Sequence, residues 1–116
     1  MRIRVMGALR DLQNNRTEEF SNLGNIGQNL PYSMLKFWLI HNPRANLEFS
    51  PDQLYVQTPD PISRTFITQA IDSDAAFKRC TKEAVRRKPN DPELRLLVVR
   101  PIGGGGLYAT MTLNMM

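Results

Sequence analysis

Cysteine occurs once in this 116-residue chain and so does histidine, and both shortages exclude chemistry. A single thiol, Cys80, forms no internal disulfide framework. With His41 as the only imidazole, a structural zinc site lacks its ligands, so no metal is expected. No apolar run reaches the roughly eighteen residues that a membrane span needs. The opening Met-Arg-Ile-Arg-Val has no apolar signal-peptide core and reads instead as a first strand. These shortages point to a reducing, cytoplasmic setting, or to an intracellular host compartment for a viral protein.

Cofactor and catalytic motifs are also lacking. The glycine run 103–106 is followed neither by Lys-Ser/Thr nor by a helix. Walker and dinucleotide-binding loops both need a helix N-terminus at the phosphates, so neither applies. No cofactor is expected. The carboxylates fall mostly at caps and turns, and none is spaced as an EF-hand loop. His41 and Cys80 have no recognisable orienting acid or base in the sequence, so no residue is assigned a catalytic role. A small enzyme with an unrecognised site stays as a third reading, with residues 11–29 as its lid.

What is present is an ordinary globular balance, 41% hydrophobic and 22% charged, in a length suited to one domain over 1–116. Ile3 and Val5 alternate with Arg2 and Arg4 in a strand running to Leu9. Residues 11–29 are rich in Asn, Gln and Gly and read as a long loop. Pro31 opens a helix that ends at Asn42-Pro43 and is apolar on most sides, Trp38 included. Leu47, Phe49, Leu54, Tyr55 and Val56 suggest short extended pieces. Asp60-Pro61 then starts a helix in which Ile62, Phe66 and Ala70 form one row, and Ser73 caps a second over 74–88. Leu94, Leu96 and Val98 alternate, as do Leu107, Ala109, Met111, Leu113 and Met115, predicting a C-terminal β-hairpin. The expected fold is α+β: a small mixed or antiparallel sheet of about four strands with two or three helices.

The strongest functional signal is charge. The chain carries a formal +4, and residues 78–88 hold Lys78, Arg79, Lys82, Arg86, Arg87 and Lys88 against Glu83 alone. On a helix these groups form a facet. It has two readings: a solvated face complementing the negative end of the helix dipole, or a surface for an anionic partner. Arg2, Arg4, Arg95 and Arg100 extend that surface if the strands place them on the same side. No aromatic ribonucleoprotein motif or GXXG loop supplies sequence readout, so nucleic-acid binding, RNA included, would be directed at the backbone.

Two short likenesses are present. Arg100-Pro101, Gly106-Leu-Tyr and Thr110-Met-Thr-Leu together resemble a stretch of the matrix proteins of vesiculovirus-type rhabdoviruses. Arg2-Ile-Arg-Val-Met-Gly7 with Leu30-Pro-Tyr-Ser33 is similar in spacing to the small linker domain of phycobilisome rods, whose later Gly-Gly-Lys-Ile element this chain lacks. Neither assigns a role to any residue here. The expectation is a non-enzymatic basic binding and assembly protein, fitting a viral accessory or structural role. It contacts nucleic acid or an acidic surface through the basic helix, and forms a homo-oligomer, such as a homodimer, through Trp38, Met111, Leu113 and Met115. The alternative is an adaptor docking an acidic protein partner.

Overall fold

Strict alternation at the N-terminus has a direct consequence: Ile3 and Val5 are fully buried, while Arg2 and Arg4 point the other way. The structure, a computed structural model, describes residues 1–45, 47, 51 and 53–101. In chain order its elements are β1 (Arg2–Asp11), β2 (Arg16–Thr17), β3 (Ser21–Gly27), α1 (Tyr32–Ile40), β4 (Gln53–Pro59), β5 (Phe66–Ala70), α2 (Asp74–Arg87) and β6 (Glu93–Arg100). All six strands join one mixed sheet. β1 and β6 run parallel at its centre, in register from Arg4↔Glu93 to Asp11↔Arg100. The other edge of β1 takes β3 along its first half and β2 at its end, both antiparallel. β6 pairs antiparallel with β4, and β4 with β5, which forms the far edge.

Both helices lie on one face, where Ile3, Val5, Leu54, Val56, Leu94, Leu96 and Val98 meet Leu35 and Leu39 of α1 and Phe77 of α2. On the opposite face Leu12, Phe20 and Tyr55 pack against Ala8, Leu97 and Val99. A side chain at Gly7 would collide with Leu23, so glycine there lets β3 close over β1. Gly24 takes φ +118° beside the register shift opposite Val5 and Met6, a conformation that suits glycine.

The α+β class holds, with two helices and six strands among the described residues rather than about four strands. Three expectations need correction. Residues 11–29 carry β2 and β3; β3 buries only Leu23 and Ile26, which is why its composition resembles a loop. No helix begins at Pro61: Asp60 accepts hydrogen bonds from the Ile62 N–H and the Ser63 hydroxyl, and its own N–H reaches the Thr65 carbonyl. Those bonds close a tight connection, with Arg64 at φ +61°, and β5 follows. β6 is a central strand and not one arm of a terminal hairpin. With β1 on one side and β4 on the other, it has no edge left for a further partner along most of its length. Residues 102–116, with Met111, Leu113 and Met115, lie outside the described residues.

Candidate anion-binding groove

Helix α2 forms where the sequence predicts it, because Ser73 in extended conformation accepts the Ala76 N–H at 3.1 Å and Pro89 stops its continuation. Phe77, Thr81 and Ala84 are buried and Cys80 is half-buried, which fixes the helix on the sheet and turns its basic side chains outward. Burial raises the Cys80 thiol pKa against the opposing pull of Arg79 and Arg87, which keeps the thiol protonated and poorly nucleophilic. His41, exposed at the end of α1 with its ring tilted 47° against that of Phe37, lines a different cleft.

The charge facet divides into paired and unpaired groups. Lys78 Nζ lies 2.9 Å from Asp74 one turn earlier. Arg86 donates to Glu83 through its Nε at 3.0 Å, and Arg87 Nε stands 3.9 Å from the same carboxylate. The hydrogen bond from Arg86, with its charge and that of Arg87, holds Glu83 below its ordinary pKa. Asp74 is likewise lowered, first by the Tyr32 N–H and then by Lys78. These i,i+3 and i,i+4 spacings were readable in the sequence as partners that weaken the facet. Among the described residues, Arg79, Lys82 and Lys88 have no carboxylate within 4.0 Å.

The hairpin β4–β5 runs beside α2, and two clefts lie along the helix. The first, of about 530 Å³, lies between Thr58, Gln69 and Ala70 on the hairpin and Arg79, Lys82 and Arg86 on α2. The second, of about 280 Å³, brings Arg87 and Lys88 to Arg95 of β6 and Phe66 of β5. Carboxylates among the described lining residues are Glu83 in the first and Glu93 in the second. The Arg95 guanidinium lies between the rings of Phe20 and Phe66, 4.0 and 4.5 Å from their centroids. Among the described residues its Nε, though buried, has no hydrogen-bond partner. Stacking thus fixes a positive group on the sheet at the mouth of the second cleft.

Of the strand arginines weighed as extensions of the basic surface, only Arg95 lines a cleft with residues of α2. Arg4 is occupied by Asp91 at 3.2 Å and Glu93 at 3.1 Å. Arg100 sits 3.7 Å from the buried Asp11 at the opposite end of β6. No family model, curated protein or solved structure matches the chain. The two short likenesses therefore gain no support, and the site rests on its own geometry. Trp38 is half-buried against the core, and the apolar groups that α1 exposes are Met34, Phe37 and Ile40. Among the described residues no group of three His, Cys, Asp or Glu could hold a metal ion, and no helix is long and apolar enough to cross a membrane.

Proposed function

We propose that this chain is a non-enzymatic binding and assembly protein that receives an anionic macromolecular partner in the groove between α2 and the hairpin β4–β5. One observation carries the reading: Arg79, Lys82 and Arg86 line one cleft along α2, and Arg87, Lys88 and Arg95 line a second. Positive groups held along a groove attract a partner whose negative charges recur along its length, and such binding weakens with salt. The unpaired Arg79 and Lys82 take the leading role, because Lys78 and Arg86 already answer carboxylates of α2.

The test is fluorescence anisotropy with two labelled probes, mixed-sequence single-stranded RNA and an acidic peptide, across a salt series. At least one probe is expected to bind at low salt, to lose affinity as salt rises, and to lose binding in the double variant Arg79→Glu, Lys82→Glu. If neither probe binds, or the double variant binds as well as the parent, the reading is wrong. Self-association is a second reading, favoured by the outward row of Met34, Phe37 and Ile40 on α1. A viral accessory or structural role remains compatible with both.

A further inference from the structure

The hydrogen-bond register of β5 makes the groove more specific than its charge alone. The Ile71 N–H donates to the Leu54 carbonyl, and the Asp60 N–H donates to the Thr65 carbonyl. These bonds fix Leu54 opposite Ile71 and Asp60 opposite Thr65 as hydrogen-bonded pairs of the antiparallel ladder. Between them the register runs Tyr55↔Ala70, Val56↔Gln69, Gln57↔Thr68, Thr58↔Ile67 and Pro59↔Phe66. Hydrogen-bonded and non-bonded pairs alternate in such a ladder. Gln69 and Ile67 therefore spend their backbone groups on β4, while Phe66, Thr68 and Ala70 turn theirs away from it. Among the described residues β5 is the last strand of the sheet, and all five of its residues are exposed. An open edge of this kind is a template for another strand.

We propose that the anionic partner is an extended acidic segment of another protein, which adds to the outer edge of β5 as a further strand. This rests on the groove reading above and names what fills it. Backbone bonds to Phe66, Thr68 and Ala70 would supply the attachment. In an extended segment every second side chain faces the same side. One set would face α2, where Arg79, Lys82 and Arg86 line the cleft beside Gln69 and Ala70. The recognised pattern is thus an acidic residue at alternate positions.

Charge complementarity also decides against a second copy. Two β5 strands pairing antiparallel are related by a two-fold axis perpendicular to the sheet. That axis puts both α2 helices on the same face, with Arg79 and Lys82 of each flanking the seam. Like charges meeting there oppose the pairing. A nucleic acid satisfies the charges but has no use for an unpaired strand edge.

The probe is a synthetic peptide of alternating glutamate and valine; the control is the same peptide with its central residue replaced by proline. Thr68→Pro removes an outward N–H and leaves the backbone bonds to β4 intact, giving up only the long 3.5 Å contact in which the Thr68 hydroxyl accepts from Gln57 Nε2, and edge strands tolerate proline. This variant is expected to bind the peptide at least about tenfold more weakly, as losing one or two backbone bonds implies. The control peptide should bind the parent with a similar loss. Amide exchange in the unaltered protein gives a second readout should Thr68→Pro fold poorly: added peptide should protect the Phe66, Thr68 and Ala70 amides. Peptide binding that survives Thr68→Pro but is lost in Arg79→Glu, Lys82→Glu would overturn strand addition and leave the charged groove standing. Tighter binding of single-stranded RNA, indifferent to Thr68→Pro, would do the same. A concentration-dependent dimer abolished by Thr68→Pro would show that the edge serves self-pairing.

Discussion

The Asp11 carboxylate shows how one residue makes its burial tolerable. It is only 5% exposed, at the end of β1, and burial alone would push its pKa up. Against that, the Asn14 amide donates to Oδ2 at 2.8 Å, the Asn14 and Gln13 N–H groups donate to Oδ1, and Arg100 adds its charge. The balance leaves Asp11 below the ordinary carboxylate range. A pKa lower in the folded than in the unfolded chain stabilises the fold above the unfolded value, and this is lost as pH falls through the folded one. Asp11→Asn should therefore unfold at lower urea than the parent near neutrality. The gap should narrow as pH drops from about 7 to about 3. A gap unchanged across that range would mean that the charge of Asp11 contributes nothing.

At the scale of elements, the helix that carries the groove depends on its cap. Ser73 Oγ accepts the Ala76 N–H, and Phe77 sits fully buried one turn in. Ser73→Ala removes the cap acceptor and should cost about 1 kcal/mol in chemical denaturation, with Ser73→Asp restoring most of it. Equal midpoints for Ser73→Ala and parent would show that packing alone sets the helix start. α2 was legible in the sequence because cap, apolar row and terminal proline agree. β5 was not. Ile62, Phe66 and Ala70 recur at helical spacing, and the alternative, an extended 66–70, has β-branched and aromatic residues but no two-residue repeat to announce it. Pairing with β4, a contact invisible to local pattern, decides between the two.

The whole molecule sets which surfaces remain for partners. The strands at the sheet centre come from opposite ends of the described chain, and both helices cover one face. α1, although apolar on most sides, commits Leu35 and Leu39 to the core and leaves Met34, Phe37 and Ile40 outward. Exposed apolar rows of this kind mark association surfaces. Sedimentation velocity should show the parent growing heavier with concentration and Phe37→Lys remaining a monomer. A parent that stays monomeric at the highest concentration would remove self-association from the reading.

The amino-acid sequence by itself determined the local matters: the alternating first strand, the capped basic helix, the stop at Asn42-Pro43 and the weight of positive charge at 78–88. Each follows from forces acting within a few residues, namely periodicity, capping and proline geometry. Only the tertiary structure decided that β6 is central, that Arg95 comes to stand beside Arg87 and Lys88, and that among the described strands β5 ends the sheet beside Arg79 and Lys82. Those outcomes depend on which strands find one another across the chain, and the choice is made by burying the common apolar face.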